Sequence, residues 1–137
     1  MMVDEALQKL KSKGFKTTGK RKKMLLYLDR HPNYVSGKEI IDYLKSDYPG
    51  LSYATVYNNL ALFSELGILE ETELDGEKKY QLSCSTHHHH HHFICLNCGK
   101  TRVIENCPMD DLPKLNDFDV VGHKFEVYGY CSECQSP

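Results

Sequence analysis

Apolar residues recur at helical spacing along the first half of the chain. Leu7 and Leu10 mark a first amphipathic stretch, and the run 24–28 marks a second. A period of three to four residues is typical of helices that bury one face against a core. We therefore predict two short helices near the start of the chain, separated close to Gly14 and Thr18.

Two further helices are predicted between residues 36 and 67. The first begins at a capping box, in which Ser36 and Glu39 satisfy donors of the first turn, and it ends at Pro49-Gly50. Ser52 caps the second, and Gly67 suits a left-handed position just past its end. The positions that would face the core are Ile40, Ile41, Leu44, Val56, Leu60 and Phe63.

A β-hairpin is predicted next, because "ILEETEL" and "EKKYQL" are joined across the turn-forming pair Asp75-Gly76. Helices followed by a hairpin indicate a winged helix-turn-helix domain. In that fold the helix after Ser52 would enter the major groove of DNA by its N-terminal end. A generic helical domain with a hairpin is the alternative. The side chains exposed on the first two turns of this helix would be Tyr53, Thr55, Tyr57 and Asn58.

Charge is distributed unevenly between the two halves. The net charge is −2, yet residues 9–23 hold eight Lys and Arg and no acidic residue, whereas four basic and seven acidic residues follow from Cys84 onward. A basic front half fits nucleic-acid binding, although a solvated helix face gives the same pattern. No apolar run approaches the roughly 20 residues of a membrane span, and the N-terminus lacks a signal-peptide core, so we expect a cytoplasmic protein.

Six cysteines in a cytoplasmic chain point to metal rather than to disulfides, which a secreted chain would favour. Two Cys-x-x-Cys knuckles together supply the four thiolates of a closed tetrahedral zinc site, and a closed site is structural. The 32 residues between the knuckles must hold structure of their own. We predict a short helix at "PMDDLPKL" and a returning strand at "HKFEVYGYC". The four ligands are Cys95, Cys98, Cys131 and Cys134.

Six consecutive histidines, 87–92, run directly into the apolar pair before the first knuckle, which favours an extended strand. Alternate residues of a strand point to opposite faces, so the run would present two pairs of ligands. Two alternatives to a ligand-bearing strand are a purification tag and a solvated His-rich loop. A tag is disfavoured because tags sit at chain ends, and this run does not. One face would bring His90 and His92 to Glu70 and Cys84, and the other would bring His89 and His91 to Asp110 and His123.

The chain resembles the ferric uptake regulator family over nearly its whole length, and most of all its zinc uptake regulator branch. The motifs that carry the resemblance are "KTTGKR", "ATVYNNL", "ELGIL", the histidine run before "CLNCGK", and "HKFEVYGYCSEC". It implies an α+β fold, with a winged-helix DNA-binding domain (1–83) followed by a small α/β dimerisation domain (84–137). It also implies a cytoplasmic homodimer that binds operator DNA when loaded with zinc and represses zinc uptake genes.

The resemblance also assigns roles to individual residues. Structural zinc falls on the four knuckle cysteines, and a regulatory hinge site falls on Glu70, Cys84, His90 and His92. An additional metal site falls on His89, His91, Asp110 and His123. The expected partners are double-stranded DNA, a second copy of the chain and metal ions, with no membrane and no other small molecule. The resemblance places DNA contacts at Lys16 and Tyr57. The basic segment and the exposed turns of the helix add further expected contacts at Lys20, Arg21, Tyr53, Thr55 and Asn58.

Two departures from the family pattern bear on function. Asn58 stands where the family usually has arginine, which removes a potential DNA contact. Tyr34 stands where the iron- and peroxide-sensing branches usually have a histidine ligand, and Cys84 supplies a thiolate instead. Because sulfur with imidazole favours zinc over ferrous iron, we prefer the zinc branch, with an iron or peroxide sensor as the alternative. A zinc enzyme is disfavoured, because four protein ligands leave no open coordination position.

Overall fold

The computed structural model describes residues 2–83 and 90–135. The chain forms two compact units, residues 1–86 and residues 87–137. Among the described residues, the first unit contains four helices and a three-stranded sheet, and the second contains a separate three-stranded sheet, so the predicted α+β class is confirmed. Within the described ranges, no helix is both long enough and apolar enough to cross a membrane.

The first two helices are α1 (Val3–Ser12) and α2 (Gly19–Arg30). They are separated where the sequence predicts, with Gly14 at a φ of 86° and the Thr18 side chain accepting a hydrogen bond from the Arg21 backbone N–H at 3.3 Å. The positive φ at position 14 is a conformation that glycine adopts without steric cost. The buried faces of the two helices are Ala6, Leu10, Met24, Leu25 and Leu28.

Helix α3 (Gly37–Leu44) begins at the predicted capping box. The Glu39 N–H donates to Ser36 Oγ at 3.2 Å, and the Ser36 N–H donates to the Glu39 carboxylate at 2.9 Å. The predicted end at Pro49-Gly50 is wrong by five residues or more, since the helix ends at Leu44. The Tyr48 N–H closes a turn onto the Leu44 carbonyl at 2.9 Å, and the following proline disfavours helical geometry at Tyr48.

Helix α4 (Tyr53–Glu65) follows, with Ser52 accepting a hydrogen bond from the Thr55 N–H at 3.2 Å as predicted. The helix ends before Gly67, whose φ of 72° lets the Ile68 N–H bond the Phe63 carbonyl at 2.9 Å. This C-terminal motif satisfies a carbonyl that has no partner within the helix. The buried face of α4 is Val56, Leu60 and Phe63, as the sequence predicts.

Strands β2 (Leu69–Leu74) and β3 (Glu77–Leu82) form the predicted hairpin. Asp75 and Gly76 both have positive φ, 52° and 77°, as a tight two-residue hairpin turn requires. The sequence pattern did not predict β1 (Val35–Ser36), which pairs antiparallel with β3. The sheet order is therefore β1-β3-β2, and the helices with this sheet confirm the winged helix-turn-helix fold.

The second unit is built on β4 (His91–Cys95), which lies at the centre of the sheet β5-β4-β6. Strand β5 (Thr101–Ile104) pairs with it antiparallel, and β6 (Glu126–Gly129) pairs with it in parallel. The predicted returning strand is present as β6, and β4 contains the last two histidines of the run, His91 and His92. Residues 87–89 of the run lie outside the described residues. Only a short 3-10 helix, Pro108–Asp111, forms in "PMDDLPKL". The predicted short helix is thus present but stops at Asp111, because Pro113 favours extended backbone at Leu112, which has φ −89° and ψ 144°.

Candidate functional site

The two cysteine knuckles meet in the second unit. One ligand atom from each of the four cysteines lies within 4.8 Å of all the others. The Cys98 and Cys131 sulfurs are 3.8 Å apart. Ligands about 2.3 Å from a tetrahedral zinc ion are themselves about 3.8 Å apart, so this spacing matches an edge of the zinc coordination tetrahedron. The predicted grouping of Cys95, Cys98, Cys131 and Cys134 therefore fits a structural zinc site.

Backbone groups around the knuckles favour the thiolate form of Cys95, which is the form that binds a cation. Burial opposes ionisation of the Cys95 thiol, but backbone N–H groups, led by that of Cys98, outweigh it and lower its pKa to about 6. The Cys131 N–H is one of these donors, at 3.4 Å from the sulfur. The Lys100 N–H lowers the pKa of Cys98, but burial and the neighbouring sulfurs raise it to about 11. A divalent cation bound among the four sulfurs would offset the repulsion between neighbouring thiolates. It would therefore hold all four groups as thiolates.

A second cluster of ligand atoms lies at the opposite end of β4. His91 and His123 approach through their Nε2 atoms at 3.0 Å, and Cys107 Sγ lies 3.3 Å from His123 Nε2. All three ligand atoms lie within 4.8 Å of one another. His91 is 7% exposed and its ring meets Phe125 edge-on, whereas His123 is exposed. The predicted meeting of His91 with His123 is therefore present in the structure.

The rest of the predicted additional site differs from this cluster. Asp110 is exposed in the 3-10 helix, and its carboxylate is not part of the cluster. Cys107, just before that helix, occupies the place next to His123. Cys107 was not among the predicted ligands, and the one sequence signal for it is that it lies outside both knuckles. His89 lies outside the described residues.

The predicted hinge ligands are distributed over both units. Glu70 is on β2, and its carboxylate accepts a hydrogen bond from the Gln81 side chain at 3.2 Å. His92 is buried on β4, opposite Val103 of β5, and His90 comes just before that strand. Cys84 lies outside the described residues. The shared site of these four residues therefore stays a prediction.

An open, shallow surface that carries basic side chains lies in the first unit, between the segment 14–21 and helix α4. It is lined by that segment together with Tyr48, Thr55 and Asn59. The segment supplies the cations Lys16, Lys20 and Arg21, and Lys20 Nζ lies 5.3 Å from the centre of the Tyr48 ring. Basic and hydrogen-bonding groups arranged beside the N-terminal half of an exposed helix suit contact with DNA phosphates.

Arg21 organises this surface. Its Nε donates to Asn59 Oδ1 at 2.8 Å, and its Nη1 donates to the Lys16 carbonyl at 2.7 Å. Asn59 in turn donates to the Thr55 carbonyl one turn earlier in α4. The guanidinium therefore joins the basic segment to the helix, in addition to the predicted role of contacting DNA.

The predicted base-contacting side chains stand on the first turns of α4. Tyr53 and Tyr57 are 56% and 42% exposed, Asn58 is exposed, and Thr55 is half-buried. The Tyr57 ring rests against Gly37 at the start of α3, where an added Cβ would come within 2.6 Å of the ring. Glycine at position 37 is therefore what allows the Tyr57 ring its observed place.

Comparison with known proteins agrees with this arrangement. A family profile described as "Ferric uptake regulator family" matches residues 12–128. The ferric uptake regulation protein of Staphylococcus epidermidis (strain ATCC 12228) is 49% identical over 98% of this chain and 97% of its own length. The protein of the same name from Staphylococcus aureus (strain Mu50) is 47% identical over 98% of this chain and 99% of its own.

A solved structure shows the same fold. The ferric uptake regulator of Helicobacter pylori, described as having three functional metal-binding sites, superposes with a TM-score of 0.75 at 21% identity. The match covers 100% of this chain and 96% of that one. At this level of identity the likeness bears on the fold alone.

Proposed function

Because the chain belongs to the ferric uptake regulator family, we propose that it is an iron-responsive repressor that binds operator DNA as a homodimer. The observation that carries DNA binding is the open basic surface joined by Arg21 to the exposed start of α4. Helix α4 would enter the major groove by its N-terminal end, and Lys16 and Lys20 would contact phosphates. Tyr57 and its neighbours would then face the base edges.

The identity of the regulatory metal rests on two conflicting arguments. The thiolate expected from Cys84 favours zinc, whereas relatives 49% and 47% identical over 98% of the chain are named ferric uptake regulation proteins. The similarity to these relatives extends over nearly every position of the chain, whereas the argument for zinc depends on one ligand. We therefore favour iron, and the zinc-uptake interpretation becomes the second candidate.

The proposed sensing site consists of Glu70, Cys84, His90 and His92. A bound metal ion would lower the free energy of the DNA-competent arrangement relative to others. Moving a population from 1:99 to 99:1 takes about 5.5 kcal/mol of differential binding, which is within reach of a four-ligand site. Glu70 belongs to the wing hairpin and His92 to strand β4, so these ligands would couple metal binding to DNA binding.

DNA binding measured under anaerobic conditions tests the proposal. Protein that retains structural zinc is titrated with Fe²⁺, Mn²⁺ or Zn²⁺, and its binding to a duplex selected from a random-sequence library is followed by fluorescence anisotropy. We expect Fe²⁺ to raise the affinity and Cys84→Ser to abolish that response while the zinc of the two knuckles is retained. A response to Zn²⁺ alone would favour the zinc-uptake candidate, and no response to any metal would refute metal-dependent regulation.

A further inference from the structure

The cluster of His91, Cys107 and His123 has a geometry that hydrogen bonding alone explains poorly. His123 Nε2 lies 3.0 Å from His91 Nε2 and 3.3 Å from Cys107 Sγ. An imidazole nitrogen carries either one N–H or one lone pair, so it makes one good hydrogen bond at a time. A single nitrogen therefore cannot satisfy both of these close neighbours well. Three ligand atoms that converge on one point instead suit a cation placed between them.

The distances agree with a tetrahedral metal site. With Zn–N of about 2.05 Å and Zn–S of about 2.3 Å, two nitrogens would be about 3.3 Å apart, and a nitrogen and a sulfur about 3.6 Å apart. The distances in the structure, 3.0 Å and 3.3 Å, are each shorter by a few tenths of an ångström. Small side-chain adjustments are enough to admit the ion.

The three residues are held by separate parts of the second unit. His91 begins β4, where it pairs with Ile104 of β5 and is buried against Phe125. Cys107 precedes the 3-10 helix, and His123 lies three residues before β6. Because β4 pairs with both neighbouring strands, the sheet fixes His91 while the two connecting segments bring Cys107 and His123 to it.

We propose that Cys107, and not Asp110, is the third ligand of a zinc site with His91 and His123. One thiolate and two neutral imidazoles form a donor set that prefers zinc to ferrous iron or manganese. Zinc binding would release the thiol proton to solvent, with no change of oxidation state. The half-buried sulfur and the exposed His123 leave the site open to ions from solution. This inference does not rest on the iron response or on DNA binding.

Cobalt spectroscopy tests the ligand set in full-length protein. All measurements use a Cys84→Ser background, in which Cys107 is the one cysteine outside the two knuckles. Co²⁺ is added to protein whose knuckle zinc is retained, and the near-ultraviolet thiolate-to-cobalt absorption is recorded. We expect this band in the background protein and its loss on adding Cys107→Ser. Zinc affinity, measured against a competing chelator, should fall roughly tenfold or more, since losing even a second-shell partner costs about 10–100-fold.

Asp110→Asn and His123→Ala provide the matched controls in the same background. Asp110→Asn should leave both the band and the zinc affinity unchanged, whereas His123→Ala should weaken zinc binding as Cys107→Ser does. His123 is exposed, so its removal does not disturb the core, and retention of the knuckle zinc verifies folding in every variant. A band absent from the background protein, or kept without Cys107, overturns the proposal. Loss of zinc binding in Asp110→Asn with none in Cys107→Ser does so as well.

Discussion

Arg21 and Asn59 join two segments that are 38 residues apart in the chain, through a hydrogen bond of 2.8 Å from the guanidinium Nε to the amide oxygen. A second guanidinium nitrogen holds the backbone carbonyl of Lys16. Arginine suits this position because its planar group donates in several fixed directions, which a lysine ammonium does not. The basic segment thus keeps its place beside α4 before any DNA binds.

Arg21→Lys should weaken operator binding although it preserves the charge. Hydrogen bonds from charged donors contribute about 1.5–3 kcal/mol each, reduced here by solvent exposure, so we expect a loss of roughly tenfold in affinity. A double-mutant cycle with Asn59→Ala in DNA-binding assays is the measurement. The two substitutions should be clearly non-additive. Strict additivity would show that the Arg21–Asn59 contact plays no part in DNA binding.

Gly37→Ala should lower sequence preference with little effect on folding. An added Cβ would come within 2.6 Å of the Tyr57 ring, which must then move because it is the free end of a side chain. The free energy of unfolding should change by less than about 1 kcal/mol, as measured by urea denaturation. Gly50→Ala is the matched control, since a Cβ there meets nothing within 4 Å. Equal loss of binding to operator and random DNA would argue against Tyr57 as a base contact.

Lys20→Gln should reduce the salt dependence of DNA binding. Each phosphate that a protein neutralises contributes about −0.9 to the slope of log K against log salt concentration. Removal of one such contact should therefore make the slope shallower by about 0.9, as read from anisotropy titrations at several salt concentrations. Lys114→Gln, an exposed lysine of the second unit, should leave the slope unchanged. If both variants have the same slope as the parent, Lys20 makes no phosphate contact.

Cys131→Ser should unfold the second unit. Structural zinc contributes on the order of 10 kcal/mol in small zinc domains, and the described residues of this unit form a small three-stranded sheet and one short 3-10 helix. Zinc content and thermal melting are the measurements. The first unit has its own hydrophobic cluster, so its helical signal should persist. Cys107→Ser should keep the knuckle zinc and should lower the melting temperature far less than Cys131→Ser does. A Cys131→Ser protein with unchanged zinc content and melting would contradict a structural role.

Local chemistry made much of the first unit predictable. The Ser36–Glu39 capping box, the Ser52 cap and the Asp75-Gly76 turn each depend on residues close in sequence, and all three are present. The short strand β1 was missed because two residues carry no periodicity, and its existence depends on β3, more than 40 residues later. The end of α3 was misplaced because the prediction relied on Pro49. That proline disfavours helical geometry only at Tyr48, whereas the helix already ends at Leu44.

The metal sites also differ in whether residues close in sequence or distant residues determine them. The four-cysteine site was predictable because paired knuckles are a local signal, and two such pairs complete one tetrahedron. Cys107 gave no local signal, since its neighbours His91 and His123 lie 16 residues away from it on either side. Only the folded sheet brings the three together. Zinc was preferred as the regulatory metal because of two positions, Tyr34 and Cys84, whereas the proposal of iron draws on similarity along the whole chain.

Strands β4 and β6 run side by side in parallel, with His92 opposite Glu126 and Cys95 opposite Gly129. The chain at the start of this pair carries the two histidines of the His91–His123 contact, and the far end carries the two cysteines of the Cys95–Cys131 contact. A slip of one residue between the strands would break both contacts at once. An ion bound at either end therefore stabilises the same pairing register of β4 with β6. Occupancy of one site should in consequence favour occupancy of the other. Metal loading of the second unit should accordingly be cooperative, even though the two sites share no ligand.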